Sequence, residues 1–224
     1  MSRLFAWVAV ALLVFAPVVV EAQFFSENFD SYAAGSSIIG QGGWEGWDGA
    51  STPGYVSNSQ AYSSPNSLLV DGTCDVVHQF GGITTGTWWI RVRVYIPSSQ
   101  TGNTYFIVLN TYAHGGPYNW SSQLRFSATD GVVESVGGTD NPSGATAALV
   151  TNQWTEAWIE VDLDANTQNI YYQGVQFDSI PWNVSGANAI ATFDLFSDGA
   201  SESYMDNVWL DSSFPVELTT FTVE

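Results

Sequence analysis

Residues 155–173 read TEAWIEVDLDANTQNIYYQ, and the side-chain parity of this stretch decides the fold. Thr155, Ala157, Ile159, Val161 and Leu163 fall on one side of an extended chain, and Glu156, Trp158, Glu160, Asp162 and Asp164 fall on the other. Period-two alternation of apolar and polar residues belongs to a strand with one buried face. The Asp- and Asn-rich DANTQ that follows is turn chemistry, and NIYYQ resumes the strand pattern, so the stretch predicts a β-hairpin.

A second strand, TWWIRVRVYI at 87–96, repeats the pattern: Trp88, Ile90, Val92, Val94 and Ile96 share a core face, while Trp89, Arg91, Arg93 and Tyr95 share the other. In QLRFSA, Leu124 and Phe126 alternate with Gln123 and Arg125 in the same way. Further strands are expected at 24–29, 67–70, 75–80, 104–110, 123–128, 169–173, 192–197 and 204–211, cut by Gly, Pro, Asn and Ser. No helix-period stretch follows the N-terminal segment, which makes the fold class all-β. The Gly- and Ser-rich run 35–64, with Trp44 and Trp47 in GQGGWEGWDG, reads as a long connection.

Arg3, the apolar run 4–20 and the small Ala22 predict a cleaved secretory leader over residues 1–22. The rest, about 200 residues, suits one large β-domain with a full core. Four basic and 22 acidic residues give a formal charge of −18, and the absence of clustered cations argues against a nucleic-acid partner. After the leader no segment is long and apolar enough to span a membrane. The single Cys74 closes no intramolecular disulfide and reads as a small buried side chain.

Four segments together resemble the concanavalin-A-like lectin/glucanase superfamily, close to the laminin-G-like domains of secreted bacterial proteins: ENFDSYAAGS…GQGGWEGW, TTGTWWIRVRVYIPS, WTEAWIEVDLDANTQNIYYQG and SYMDNVWLD. The resemblance covers roughly residues 24–211 and implies a two-sheet antiparallel jelly-roll sandwich, with glycan-binding members and some hydrolases or lyases. It also implies a structural calcium where the first and last strands meet, for which Glu27, Asp30 and Asp206 match in position. The tail 212–224, with FPVELTTFTVE, is similar to the linker that precedes type IX sorting domains and leaves open a truncated chain or a terminal strand.

Laminarinase-type hydrolases of this superfamily carry E-x-D-x-x-E or E-x-D-x-E on a strand, the two glutamates serving as nucleophile and acid/base. Here Glu160-Val161-Asp162-Leu163-Asp164 has the spacing but ends in the shorter Asp, and it runs straight into a turn, which favours a solvated strand face over catalysis. A lyase would neutralise a uronate with Arg91, Arg93 and Arg125 and move a proton through His78, His114 or Tyr118, but the R-x-E-x-R strand of such enzymes is missing. The structural alternative pairs these arginines with Glu156, Glu160 or Asp162.

Sugars present apolar C–H faces ringed by hydroxyls, so a binding surface needs aromatic platforms beside carboxylates, amides or guanidinium groups. Trp89 and Tyr95 flank Arg91 and Arg93, and Trp158 lies between Glu156 and Glu160; one shared sheet would join them into a single polar-aromatic floor. Trp44, Trp47, Trp120 and Trp182 sit in expected loops as packing residues, with Trp120 in HGGPYNWSS the exception most apt to touch a ligand, and Arg125 completes the set. The resulting expectation is an exported, non-catalytic module that binds an extracellular polysaccharide or glycoconjugate. A polysaccharide hydrolase or lyase and an adhesion component of a surface assembly are the alternatives.

Overall fold

The computed structural model describes residues 24–213. The leader and the sorting-type tail lie outside the described residues.

The described chain is two antiparallel sheets packed face to face. One holds β1 (Phe25–Glu27), β3 (Tyr55–Ser57), β4 (Ser67–Leu69), β6 (Thr87–Tyr95), β11 (Trp154–Asp162), β12 (Thr167–Tyr172), β13 (Val175–Pro181) and β15 (Tyr204–Asp211). Its order is β13-β12-β11-β6-β15-β4-β3, with β1 also paired to β15. The other holds β2 (Trp44–Gly46), β5 (Asp75–Gln79), β7 (Asn103–Tyr112), β8 (Tyr118–Ser127), β9 (Val132–Gly138), β10 (Asn141–Ala148) and β14 (Thr192–Asp198), in the order β10-β9-β8-β7-β14-β5-β2. Among the described residues the only helical assignment is one 3-10 turn, Trp47–Gly49. None of their helices is long and apolar enough to cross a membrane.

All ten expected strands are present, and the parity of the two deciding stretches holds. Ile90, Val92, Val94, Ala157, Ile159 and Val161 are fully buried, and they meet Phe106, Leu124, Phe126, Phe193 and Leu195 of the facing sheet. The DANT turn closes with Asn166 at φ 54°, a left-handed position that Asn tolerates, and Asp162 Oδ1 accepts the Ala165 N–H at 2.8 Å. Trp44 and Trp182 are buried in this core, as packing residues; emptying either site would cost about 3–5 kcal/mol. Cys74 is buried too, its thiol raised by burial, which makes it a packing residue.

Five strands lie where no strand is expected from sequence. β2 and β3 fall inside the Gly/Ser-rich connection, and β9, β10 and β13 run along the opposite margin of the sandwich. β10 (NPSGATAA) and β13 are edge strands that alternate poorly because little of either is buried.

A buried polar chain crosses between the sheets. Gln100 Nε2 donates to Thr104 Oγ1 at 2.9 Å, the Thr104 and Ser203 hydroxyls lie 2.7 Å apart, and Ser203 donates to the Val70 carbonyl at 2.7 Å. Every hydroxyl in it has a partner, as a buried network requires.

Candidate functional site

The two outer faces of the sandwich differ. On the eight-stranded sheet, β6 and β11 are direct neighbours with Arg91 opposite Trp158, Arg93 opposite Glu156 and Trp89 opposite Glu160. The expected single floor of Trp89, Arg91, Arg93, Tyr95, Glu156, Trp158 and Glu160 is therefore assembled on one face. Its charges, however, are matched within the chain. Glu156 Oε2 lies 3.3 Å from Arg91 and 2.7 Å from Arg93, with all three side chains at most 20 % exposed. Arg91 also stacks over Trp209 and Arg93 over Tyr62, 5.0 and 4.5 Å from the ring centroids. Glu160 accepts from Asn169 at 3.0 Å. The pairing of arginine with Glu156 follows the structural alternative.

Arg125 is on the other sheet and does not join Arg91 and Arg93. It bonds Glu134 at 2.7 Å and Asp130 at 2.6 Å. Three arginines on opposite outer faces cannot neutralise one uronate. His78 is wedged among Phe25, Trp44 and Phe80, with burial lowering its pKa, and His114 is held 2.6 Å from Glu45.

On the seven-stranded sheet the outer face carries a pocket of about 460 Å³ lined by Trp47, Asp75, Tyr105, Ile107, Tyr118, Trp120, Gln123, Val136, Asp194 and Phe196. Alternation aims Asp75 and Val77 of β5, Asp194 and Phe196 of β14, and Tyr105 and Ile107 of β7 away from the core. Asp194 sits opposite Val77 on one side and Ile107 on the other, and Ile107 sits opposite Gln123. Val77 and Ile107 are buried although they lie outside the core cluster, because this face is walled.

One wall depends on a β-bulge. Register shifts in the β7–β8 pair set Val108 opposite Ser122 but Leu109 opposite Trp120, leaving Ser121 as an extra residue. Side-chain parity changes across it: Gln123 and Arg125 face outward on one side, and Tyr118 and Trp120 take the same face on the other. Simple alternation would have grouped Trp120 with the core residues Leu124 and Phe126.

The opposite wall is the turn after β2. A Cβ on Gly46 would fall 1.8 Å from the Ala50 carbonyl oxygen, so only glycine permits this tight return. Asp48, at φ 52°, pins the turn to the β7–β8 connection: its carboxylate accepts from the Gly115 N–H at 2.9 Å and from the Tyr118 hydroxyl, and its own N–H donates to Tyr112 Oη at 3.0 Å. The bond from Tyr118, followed by that from Gly115, holds the Asp48 carboxyl below its ordinary value, and the same contact pushes the Tyr118 phenol up to about 12. Trp47 stacks on Trp120 at 5.8 Å and 13°.

Two carboxyls form part of the pocket lining. Asp75 of β5 and Asp194 of β14 lie side by side on paired strands, close enough for Asp75 to raise the pKa of Asp194, and Asp194 is only 3 % exposed. Burial pushes Asp75 up to about 6; burial and then the neighbouring Asp75 hold Asp194 well above the carboxylate range. Among the described residues no group donates to the buried Oδ1 of either. Sequence reading passed over both residues; the available signal was their position on the non-core side of DVVHQ and TFDLFSD, each beside apolar residues.

The carboxylates expected to hold calcium are spent on the chain itself. Glu27 accepts from the Phe29 N–H at 2.7 Å and the Tyr32 hydroxyl at 2.6 Å, and Asp30 accepts from the Asn66 N–H at 2.9 Å and Asn28 Nδ2 at 2.8 Å. Asp206 takes the N–H groups of Tyr62, Ser63 and Asn207 at 2.8, 3.0 and 2.7 Å. Among the described residues no three His, Cys, Asp or Glu side chains group to hold a metal, and these three carboxylates clasp loops.

Two antiparallel sheets in this order, with crossovers such as β6 to β15 and β7 to β14, form a concanavalin-A-like jelly-roll fold. In particular, the chain superposes on a sialidase with a TM-score of 0.59 at 10 % identity, over 84 % of this chain and 18 % of the sialidase. It superposes on the carbohydrate-binding module CBM66 from Bacillus subtilis with a TM-score of 0.52 at 11 % identity, over 76 % of this chain and 96 % of the module. The catalytic domain of a glycoside hydrolase family 131 protein from Coprinopsis cinerea gives 0.53 at 12 % identity, over 84 % and 93 %. No family model and no curated protein sequence matches.

Proposed function

We propose that this protein is an exported, non-catalytic carbohydrate-binding sandwich that takes an extracellular polysaccharide or glycoconjugate in the pocket of the seven-stranded sheet. The observation that carries this reading is the pocket's composition: indole and phenol rings of Trp47, Trp120, Tyr105 and Tyr118 around the polar groups of Gln123, Asp75 and Asp194. Rings cover the C–H faces of a pyranose and the polar groups meet its hydroxyls. The superposition on nearly the whole of a carbohydrate-binding module supports it.

The eight-stranded face is the weaker choice, since a ligand there would have to displace Tyr62 from Arg93 and break the two ion pairs of Glu156. Hydrolysis is also disfavoured. Asp194 is buried to 3 % exposure and the pair lies side by side on neighbouring strands, whereas a glycosidase holds two carboxyls on opposite sides of the scissile bond, about 5 Å apart or farther.

Affinity electrophoresis in gels containing xyloglucan, galactomannan or laminarin tests the reading, with reducing-sugar release assayed on the same polymers. Retention by at least one gel, lost in Trp120→Ala and unaccompanied by sugar release, is expected. Retention that survives Trp120→Ala unchanged refutes the pocket, and sugar release moves the protein to the hydrolases.

A further inference from the structure

The carboxyl pair in the pocket can be given a role that rests on the sugar-binding reading of that pocket. Two neighbouring aspartates, one of them 3 % exposed, cannot both ionise cheaply, and their buried Oδ1 atoms receive no hydrogen bond from any described residue. A proton held between them satisfies one contact. The Oδ1 lone pairs left over lack donors among the described residues, although both residues line the open pocket with ring faces beside them.

The groups that face the pair leave it as the one proton reservoir of the site. Asp48, on the turn after β2, adds a negative field at Asp75. Tyr105, Tyr112 and Tyr118 are held neutral by raised pKa values, and Cys74 beneath the sheet stays a thiol for the same reason. Arg125, in the next row, is already paired with Asp130 and Glu134.

We infer that Asp75 and Asp194 keep one proton between them and act as a coupled acceptor and donor toward adjacent hydroxyls of an uncharged sugar ring lying against Trp47 and Trp120. A dianionic pair would offer acceptors only; a singly protonated pair matches a vicinal diol, in which each hydroxyl both gives and receives. Binding is then strongest at neutral pH and weakens in alkali, when the shared proton leaves.

The test uses the full chain in galactomannan, xyloglucan and laminarin gels, at neutral and at alkaline pH. Asp75→Ala and Asp194→Ala should each lower affinity about tenfold or more. Asp194→Asn, which keeps the shape and supplies a permanent N–H donor, should retain more affinity than Asp194→Ala at neutral pH and lose the alkaline weakening. If Asp194→Asn weakens in alkali as the wild type does, or if both alanine variants bind normally while Trp120→Ala does not, the inference is overturned and the pocket stands. If no gel retains the wild type, the sugar-binding reading falls and takes the inference with it. Carboxyl ¹³C shifts give a readout independent of ligand: one of the two must remain protonated at neutral pH, and ionisation of both at ordinary carboxylate values overturns the inference.

Discussion

The outer faces of the two sheets are built by the same alternation, yet one is chemically closed and the other open. On the eight-stranded face both arginines meet one carboxylate: Glu156 serves Arg91 and Arg93, and Trp209 and Tyr62 cover their planes. On the seven-stranded face two carboxyls lie against each other under aromatic walls with no cation on them. A polar strand face thus says little about binding until its partners are counted; what is left unmatched after folding is available to a ligand.

Breaking each face in turn sharpens the contrast. Glu156→Ala strands two largely buried guanidinium groups and should cost about 2–3 kcal/mol, read by urea denaturation, without touching glycan retention. An unchanged midpoint would mean that solvent replaces the pair. Trp120→Ala should act the opposite way, lowering glycan affinity about tenfold, equivalent to about 1.4 kcal/mol, with little loss of stability. Trp158→Ala and Trp89→Ala on the closed face should leave affinity unaltered; loss of binding in those variants would return the ligand to the eight-stranded sheet.

Next in size is a pH effect. Asp75 and Asp194 have folded pKa values above their unfolded ones, so the folded chain binds more protons between them. Their contribution is fully present below about pH 4 and is lost as pH rises through about 6 for Asp75 and through the raised value of Asp194. Melting temperature should therefore fall by a few degrees from mildly acidic to mildly alkaline buffer, and the slope should flatten in Asp194→Asn. A slope identical in that variant assigns the effect elsewhere, Asp206 being a candidate because burial pushes it up to about 6. The smallest effect is expected from a chelator: with Glu27, Asp30 and Asp206 engaged by backbone N–H groups, melting should not change, and a fall would mean that backbone oxygens complete a calcium site after all.

Much of the architecture was legible because buried strands announce themselves by parity. β6 and β11 each present an unbroken apolar side, and the short Asx-rich turn after β11 makes β12 its hairpin neighbour. The edge strands β10 and β13 escaped because pairing along one margin, not burial, holds them. The site escaped for two reasons. Trp120 reaches the pocket only through an extra residue at Ser121, which alternation cannot foresee. Asp75 and Asp194 are 119 positions apart in the chain's numbering and become a pair only when β5 and β14 align. What the residues did show was one floor of the right composition; its internal neutralisation depended on Glu156 falling opposite Arg93 and on the arrival of Tyr62 from a loop.

The turn that carries Trp47 separates the width of the cleft from the integrity of the sandwich. Trp120 belongs to a strand inside the sheet, while Trp47 stands on a three-residue turn fastened by the Asp48 carboxylate and N–H and by its own ring contacts with Tyr112, Tyr118 and Trp120. Lengthening or exchanging residues 47–49 would resize the aperture for branched or linear chains without disturbing a core contact, which makes this jaw the natural place to engineer selectivity.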